Sequence, residues 1–235
     1  MKRNSTIIWL SKFFSLLPYR VALKIATLLA WFWYYLLPIR ISVARSNVRR
    51  VFPDLSKREV NRVVRKSTEN LVMMVVDTLR VPYITEEEYQ KRVIDHDAYE
   101  VIDEQVKKGY GVVAPVAHIG SFELVACVSA LKGYPVNIIY KDIHWKSADR
   151  FWQKIRRRTG INKIAPRRSK DVITATLKRG EIVAFAIDQH MAKHRAIVCS
   201  LFEQLVSTTP APSRFAMQTG ASILCVYTVR DSVDP

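Results

Sequence analysis

The strongest constraint on this chain is a series of short apolar runs separated by segments of helical period. The runs are 111–117 (GVVAPVA), 136–140, 182–187 and 223–229. Each is too short for a stable helix and does not alternate polar with apolar, which reads as a strand buried on both faces. Between them, Phe122–Leu131 ends near Gly133, 147–158 at Gly160, 171–178 at Gly180 and 212–218 at Gly220. Glycine just past a periodic segment is a helix stop signal. Strands alternating with helices predict an α/β domain whose largely parallel mixed sheet is flanked by helices.

Upstream, residues 54–80 predict a long helix. Ser56 and Glu59 have the spacing of a capping box, and Val60, Val63, Val64, Leu71 and Val75 recur at helical period before Pro82. Shorter helices are expected over 85–88 and 99–108. The first 53 residues differ from the rest: they carry nine basic residues and no acid. Within them, 21–37 (VALKIATLLAWFWYYLL) extends about 25 Å as a helix, close to the ~30 Å of a bilayer core. Lys24 near its start and Trp31, Trp33, Tyr34 and Tyr35 near its end suit the two interfaces. No small-residue cleavage site follows, so a retained membrane anchor is expected over 1–53, preceding a second domain over 54–235. Length and aromatic content fit both a spanning and an interfacial helix.

The net charge of +16 invites a polyanion. It is concentrated in the N-terminal block and in 141–170, where eleven basic residues face only Asp142 and Asp149. That second block lacks the interleaved aromatics of a nucleic-acid stacking platform, so nucleic acid is not an expected partner and an anionic membrane is. Cys127, Cys199 and Cys225 have no paired spacing and read as buried thiols in a reducing compartment. His190 and His194 are four residues apart but lack a third ligand or an HExxH pattern, so no metal site is predicted.

Chemistry is expected at 117–123 (AHIGSFE). Active groups in α/β sheets collect beyond the carboxyl ends of strands, and His118 directly follows one predicted strand. Gly120 permits a tight turn into the next helix. Glu123 would then lie in the first helical turn and could face back to His118, fixing its tautomer while the other ring nitrogen acts as a general base.

HIGSFE resembles the HxxxxE/D motif of lysophospholipid-type acyltransferases. The segments SVARSNVRRVFPDLSKREV, KKGYGVVAPVAHIGSFEL, LKRGEIVAFAIDQ and STTPAPSRFAMQTGASILCVY resemble, in order, successive blocks of the lipid A biosynthesis (lauroyl/myristoyl) acyltransferases. The resemblance runs over roughly 5–230 and implies a glycerolipid acyltransferase-like fold. It implies transfer of a fatty acyl chain from an acyl carrier protein or CoA thioester to a hydroxyl of a lipid A precursor. The setting would be the cytoplasmic face of a bacterial inner membrane, and no cofactor would be needed. It assigns catalysis to His118 and Glu123, and substrate binding to Arg156, Arg158, Arg167, Asp188, Thr208 and Thr209. Structural roles stay open for Asp188 and both threonines, and a solvated basic face for the arginines. Ala196, Glu203 and Pro210 stand where that family commonly has glycine, so acceptor preference stays open: another glycero- or glycolipid, or a silent relative. The chain stops at Pro235, and a domain cut short at its C-terminus is one expectation.

Overall fold

The computed structural model describes residues 5–90, 98–192, 194 and 196–230. Lys2 and Arg3 of the basic N-terminal block, and the chain end at Pro235, lie outside these.

The N-terminal region is a layer of helices: α1 (Ser5–Leu16), α2 (Tyr19–Leu36), α3 (Ile41–Val51) and α4 (Lys57–Arg80). Pro18 caps α2 and disfavours helix at the residue before it, which separates α2 from α1. The predicted capping box forms: the Glu59 N–H donates to Ser56 Oγ and the Ser56 N–H to Glu59 Oε2. α4 is the spine of this layer. α2 runs antiparallel along it, with Tyr19 reaching Asp77, Trp31 reaching Glu69 and Tyr34 reaching Asn61. Ala22, Ala26 and Ala30, four residues apart, are all buried. Small side chains along an i±4 row let two helix axes approach closely.

This packing bears on the membrane helix expected over 21–37, for which the sequence leaves both a spanning and an interfacial placement open. No single helix among the described residues is long and apolar enough to cross a bilayer. α2 and α3 pass that test only together, and they are bent by 92°. One face of α2 is spent on α4, while Val21, Leu28, Leu29, Phe32 and Leu36 remain exposed on the other. Ile7, Phe14, Ala22, Leu23 and Ala26 belong to the same apolar cluster as sheet residues Val112, Val136 and Ile182.

A 3₁₀ turn (Val81–Tyr83), α5 (Glu86–Gln90) and α6 (Ala98–Lys107) lead into the sheet. Its strands are β1 (Val112–Val116), β2 (Val136–Ile139), β3 (Asn162–Ile164), β4 (Ile182–Ala186) and β7 (Ser222–Ile223). They lie in the order β3-β2-β4-β1-β7, with every pairing parallel. The crossovers include α7 (Phe122–Leu131), α8 (Lys146–Thr159), α9 (Lys170–Lys178) and α10 (Ala211–Thr219). Strand alternation divides the core: Val112, Ala114, Ile182 and Ala184 face a cluster with α7 and α8, whereas Val113, Val183 and Phe185 face Ile173, Leu177 and Ala216 of α9 and α10.

An antiparallel hairpin, β5 (Ile197–Leu201) with β6 (Gln204–Thr208), forms its own sheet. Its turn places Phe202 against Phe52 at the end of α3, with ring centroids 5.8 Å apart. The run read as a strand over 223–229 pairs continuously only at its start; further on it makes a single bridge, Val226 to Val116. Of the three cysteines only Cys127 is buried; Cys199 is half-buried and Cys225 exposed. Burial pushes the Cys127 thiol up to about 12.

Candidate active site

β1 and β4 are register neighbours, Val116 opposite Ala186. His118 and Asp188, each two residues beyond these partners, therefore emerge side by side at the carboxyl edge of the sheet. The His118 backbone N–H donates to Asp188 Oδ2 at 2.7 Å, and its Nδ1 lies 2.8 Å from Oδ1. Partial burial pushes the Asp188 carboxyl up, but the bonds from His118 outweigh this and hold it below its ordinary value. Asp188 is thus ionised at neutral pH and accepts a hydrogen bond from Nδ1–H, leaving the Nε2 lone pair outward. Phe122 stacks edge-on against the imidazole at 4.9 Å, and the Gln189 amide nitrogen stands 3.4 Å from Nε2. The ring is 40% exposed, so a substrate hydroxyl can reach it.

Glu123 does not face His118. Successive helical residues point about 100° apart. With Phe122 turned to the imidazole, Glu123 turns inward beneath α7. There it is 2% exposed, and both its oxygens accept from Arg156, from Nε at 2.6 Å and Nη2 at 2.7 Å. The guanidinium carbon also lies 4.1 Å from the Tyr140 ring centroid. Burial opposes the Arg156 charge, but the paired Glu123 oxygens overcome it and raise the arginine's pKa. The expected contact between His118 and Glu123 is therefore corrected: the carboxylate on His118 comes from β4, and Glu123 joins α7 to α8.

The other flagged residues are dispersed. Arg158, two positions past Arg156 and so on the far side of α8, lines a cavity of about 250 Å³ with Ile8, Ser11 and Phe151. Arg167 is exposed on the segment after β3. Thr208 Oγ1 donates to the Ile187 carbonyl at 2.7 Å, tying the end of β6 to the residue before Asp188. Thr209 Oγ1 accepts from the Ala211 N–H at the start of α10.

Sequence reasoning missed a buried network behind the motif. Asp77 on α4 accepts from Ser121 Oγ at the start of α7, from Tyr19 OH (3.1 Å) and from Arg230 Nη2 (2.7 Å). Arg230 also donates to Tyr19 OH (2.9 Å) and Ser121 Oγ (3.2 Å). Burial, reinforced by the Asp77 charge, raises the Tyr19 phenol's pKa. Thr228 Oγ1 donates to the Ile119 carbonyl at 2.9 Å. Gly120 has φ +58, and a Cβ there would sit 2.4 Å from the Thr228 carbonyl oxygen. The loop 118–121 is thus braced by the segment 226–230 on one side and by α4 on the other. One sequence signal for this existed: Asp77 interrupts the apolar stripe of its helix, next to Val76 and Leu79.

The sequence profile of the bacterial lipid A biosynthesis acyltransferases matches residues 4–233. This chain belongs to that family. Among its relatives are the lipid A biosynthesis palmitoleoyltransferase of Escherichia coli K12 and the lipid A biosynthesis acyltransferase of Shigella flexneri. Each is 26% identical over 216 residues, covering 91% of this chain and 69% of the relative. The chain is therefore an acyltransferase, and His118 and Asp188 stand paired and partly exposed at the edge of its parallel sheet.

Proposed function

We propose that this acyltransferase moves a fatty acyl group from an acyl carrier protein or CoA thioester to a hydroxyl of a lipid A precursor. The observation that carries the mechanism is the clamp of Asp188 on His118, which turns Nε2 to an open surface beside the Gln189 amide, 3.4 Å away. Nε2 takes the proton of the acceptor hydroxyl as its oxygen attacks the thioester carbonyl. Asp188 stabilises the resulting imidazolium. The tetrahedral intermediate expels the thiolate, which recovers the proton from His118. The thioester is already activated, so this chemistry asks for hydrogen-bond donors at the oxyanion and for no metal or cofactor. Gln189 is positioned to be one such donor. Glu123 acts through Arg156, holding α7 and α8 in register beneath the motif. Arg158 and Arg167 offer charge to an anionic headgroup or to the acidic surface of a carrier protein.

The same reading seats the enzyme on the cytoplasmic face of a bacterial inner membrane. Trp9, Phe13 and Leu16 on α1 and Leu28, Phe32 and Leu36 on α2 are exposed, within a segment rich in basic residues. A helix that buries one face on protein and exposes an apolar face beside cations suits the interface plane.

The test is a mass-spectrometric transfer assay with carrier-protein thioesters of several lengths and a lipid A precursor. One added acyl mass, absent with His118→Ala, is expected. Transfer at near wild-type rate by His118→Ala would refute the general-base role. No transfer by the folded wild type would move the acceptor to another lipid.

A further inference from the structure

The N-terminal half of α4 carries an arrangement the transfer chemistry does not use. Arg58, Arg62 and Arg65 follow one another at i, i+4 and i+7 and line a cavity of about 660 Å³ with Asn61, Tyr34 and Tyr35. Like charges at this spacing repel, and cations near a helix N-terminus also oppose its dipole. Among the described residues neither Arg58 nor Arg62 is in an ion pair, and Arg65 reaches Glu69 only at 3.8 Å. The single acid at the cavity, Glu59, is held by Ser56, whose hydrogen bonds lower its pKa, so it offsets one of the three charges. The wall is pre-organised: Arg45 donates to Asn61 Oδ1 (2.7 Å) and to Tyr34 OH (3.0 Å), adding a fourth cation behind it. The cavity opens beside the exposed apolar end of α2 at Tyr35, Leu36 and Leu37. Arg65 lies twelve residues from Asp77, about 18 Å along the helix from the braced motif.

We infer that this cavity is a binding site for a phosphate-bearing headgroup, separate from the site around His118. Guanidinium forks match phosphate oxygens, the cavity has the volume of a small-ligand pocket, and its position beside the exposed face of α2 places it at headgroup depth when that face meets lipid. Two sources share this chemistry, a phospholipid headgroup and a soluble phosphate. Binding requires no acyl transfer, so a chain inactive on lipid A precursors would still show it.

The test is calorimetric titration of the full chain, held in neutral maltoside micelles, with dioctanoylphosphatidylglycerol and separately with inorganic phosphate. Arg58→Gln with Arg62→Gln is the site variant. Lys170→Gln with Lys178→Gln on α9 removes the same charge elsewhere. Saturable binding of phosphatidylglycerol at one per chain is expected, weakened about tenfold or more in the site variant and less than about twofold in the α9 variant. The same pattern with inorganic phosphate makes a soluble phosphate the source; its restriction to phosphatidylglycerol makes the source a lipid. Absence of saturable binding by either probe, or equal losses in the two variants, would overturn the inference.

Discussion

Asp188→Asn separates the two carboxylates that compete for the role of His118's partner. It keeps the side chain's shape and removes its charge. In the native site the two oxygens of Asp188 face the His118 backbone N–H and Nδ1 at 2.7 and 2.8 Å. An amide can still accept from the backbone N–H through its oxygen, but its NH2 then faces Nδ1. The ring must turn Nδ1 into an acceptor and carry its proton on Nε2, where the base is needed. A hydrogen bond to a charged partner is worth about 1.5–3 kcal/mol. In Ser-His-Asp enzymes the same change costs about 10⁴-fold in turnover because of the wrong tautomer. Turnover in the transfer assay should fall about 10³–10⁴-fold, while KM changes little. Stability should barely move: the side chains of His118 and Asp188 are 40% and 34% exposed, and an exposed pair contributes about 0–1 kcal/mol. An Asp188→Asn enzyme within about threefold of wild-type turnover would refute the reasoning.

Arg156→Ala should leave Glu123 buried without its counter-charge, at a cost of about 3–5 kcal/mol, read as a melting temperature lower by roughly 6–20 °C in a domain of this size. Gly120→Ala should abolish transfer and lower the melting temperature, since its φ is +58 and the added Cβ would meet the Thr228 carbonyl at 2.4 Å; wild-type activity would show that the brace is slack. Leu28→Ser with Leu36→Ser should weaken retention on anionic vesicles in a flotation assay without shifting the melting temperature, because both side chains are exposed. Because the folded Asp188 carboxyl sits below its ordinary value, the unfolded chain binds this proton first as pH falls. Its stabilising increment is intact above the ordinary aspartate range and is lost as pH drops through the folded value, so acid denaturation of wild type and Asp188→Asn should converge at the acid end.

What was legible from sequence alone is what short segments decide for themselves. The apolar run at β1, the glycine stops after α7, α8, α9 and α10, and the capping box at Ser56 each depend on neighbours within a few residues, and all formed. His118 could be placed at a strand end on the same basis. The partner of His118 could not, because Asp188 lies seventy residues away and reaches it only through the register of β4 against β1. The partner of Glu123 depended on which way α7 faces: once Phe122 takes the imidazole side, the next residue points to α8 and Arg156. The hairpin of β5 and β6 was missed because its exposed strands lack the uninterrupted apolar run that marks a buried one. The apolar composition of α2 was plain in the sequence, but tertiary packing divided it, burying the alanine face on α4 and leaving the leucine and aromatic face outward. Composition sets how much apolar surface a helix must cover, whereas only the packed neighbours decide which part of it is left for something else to cover.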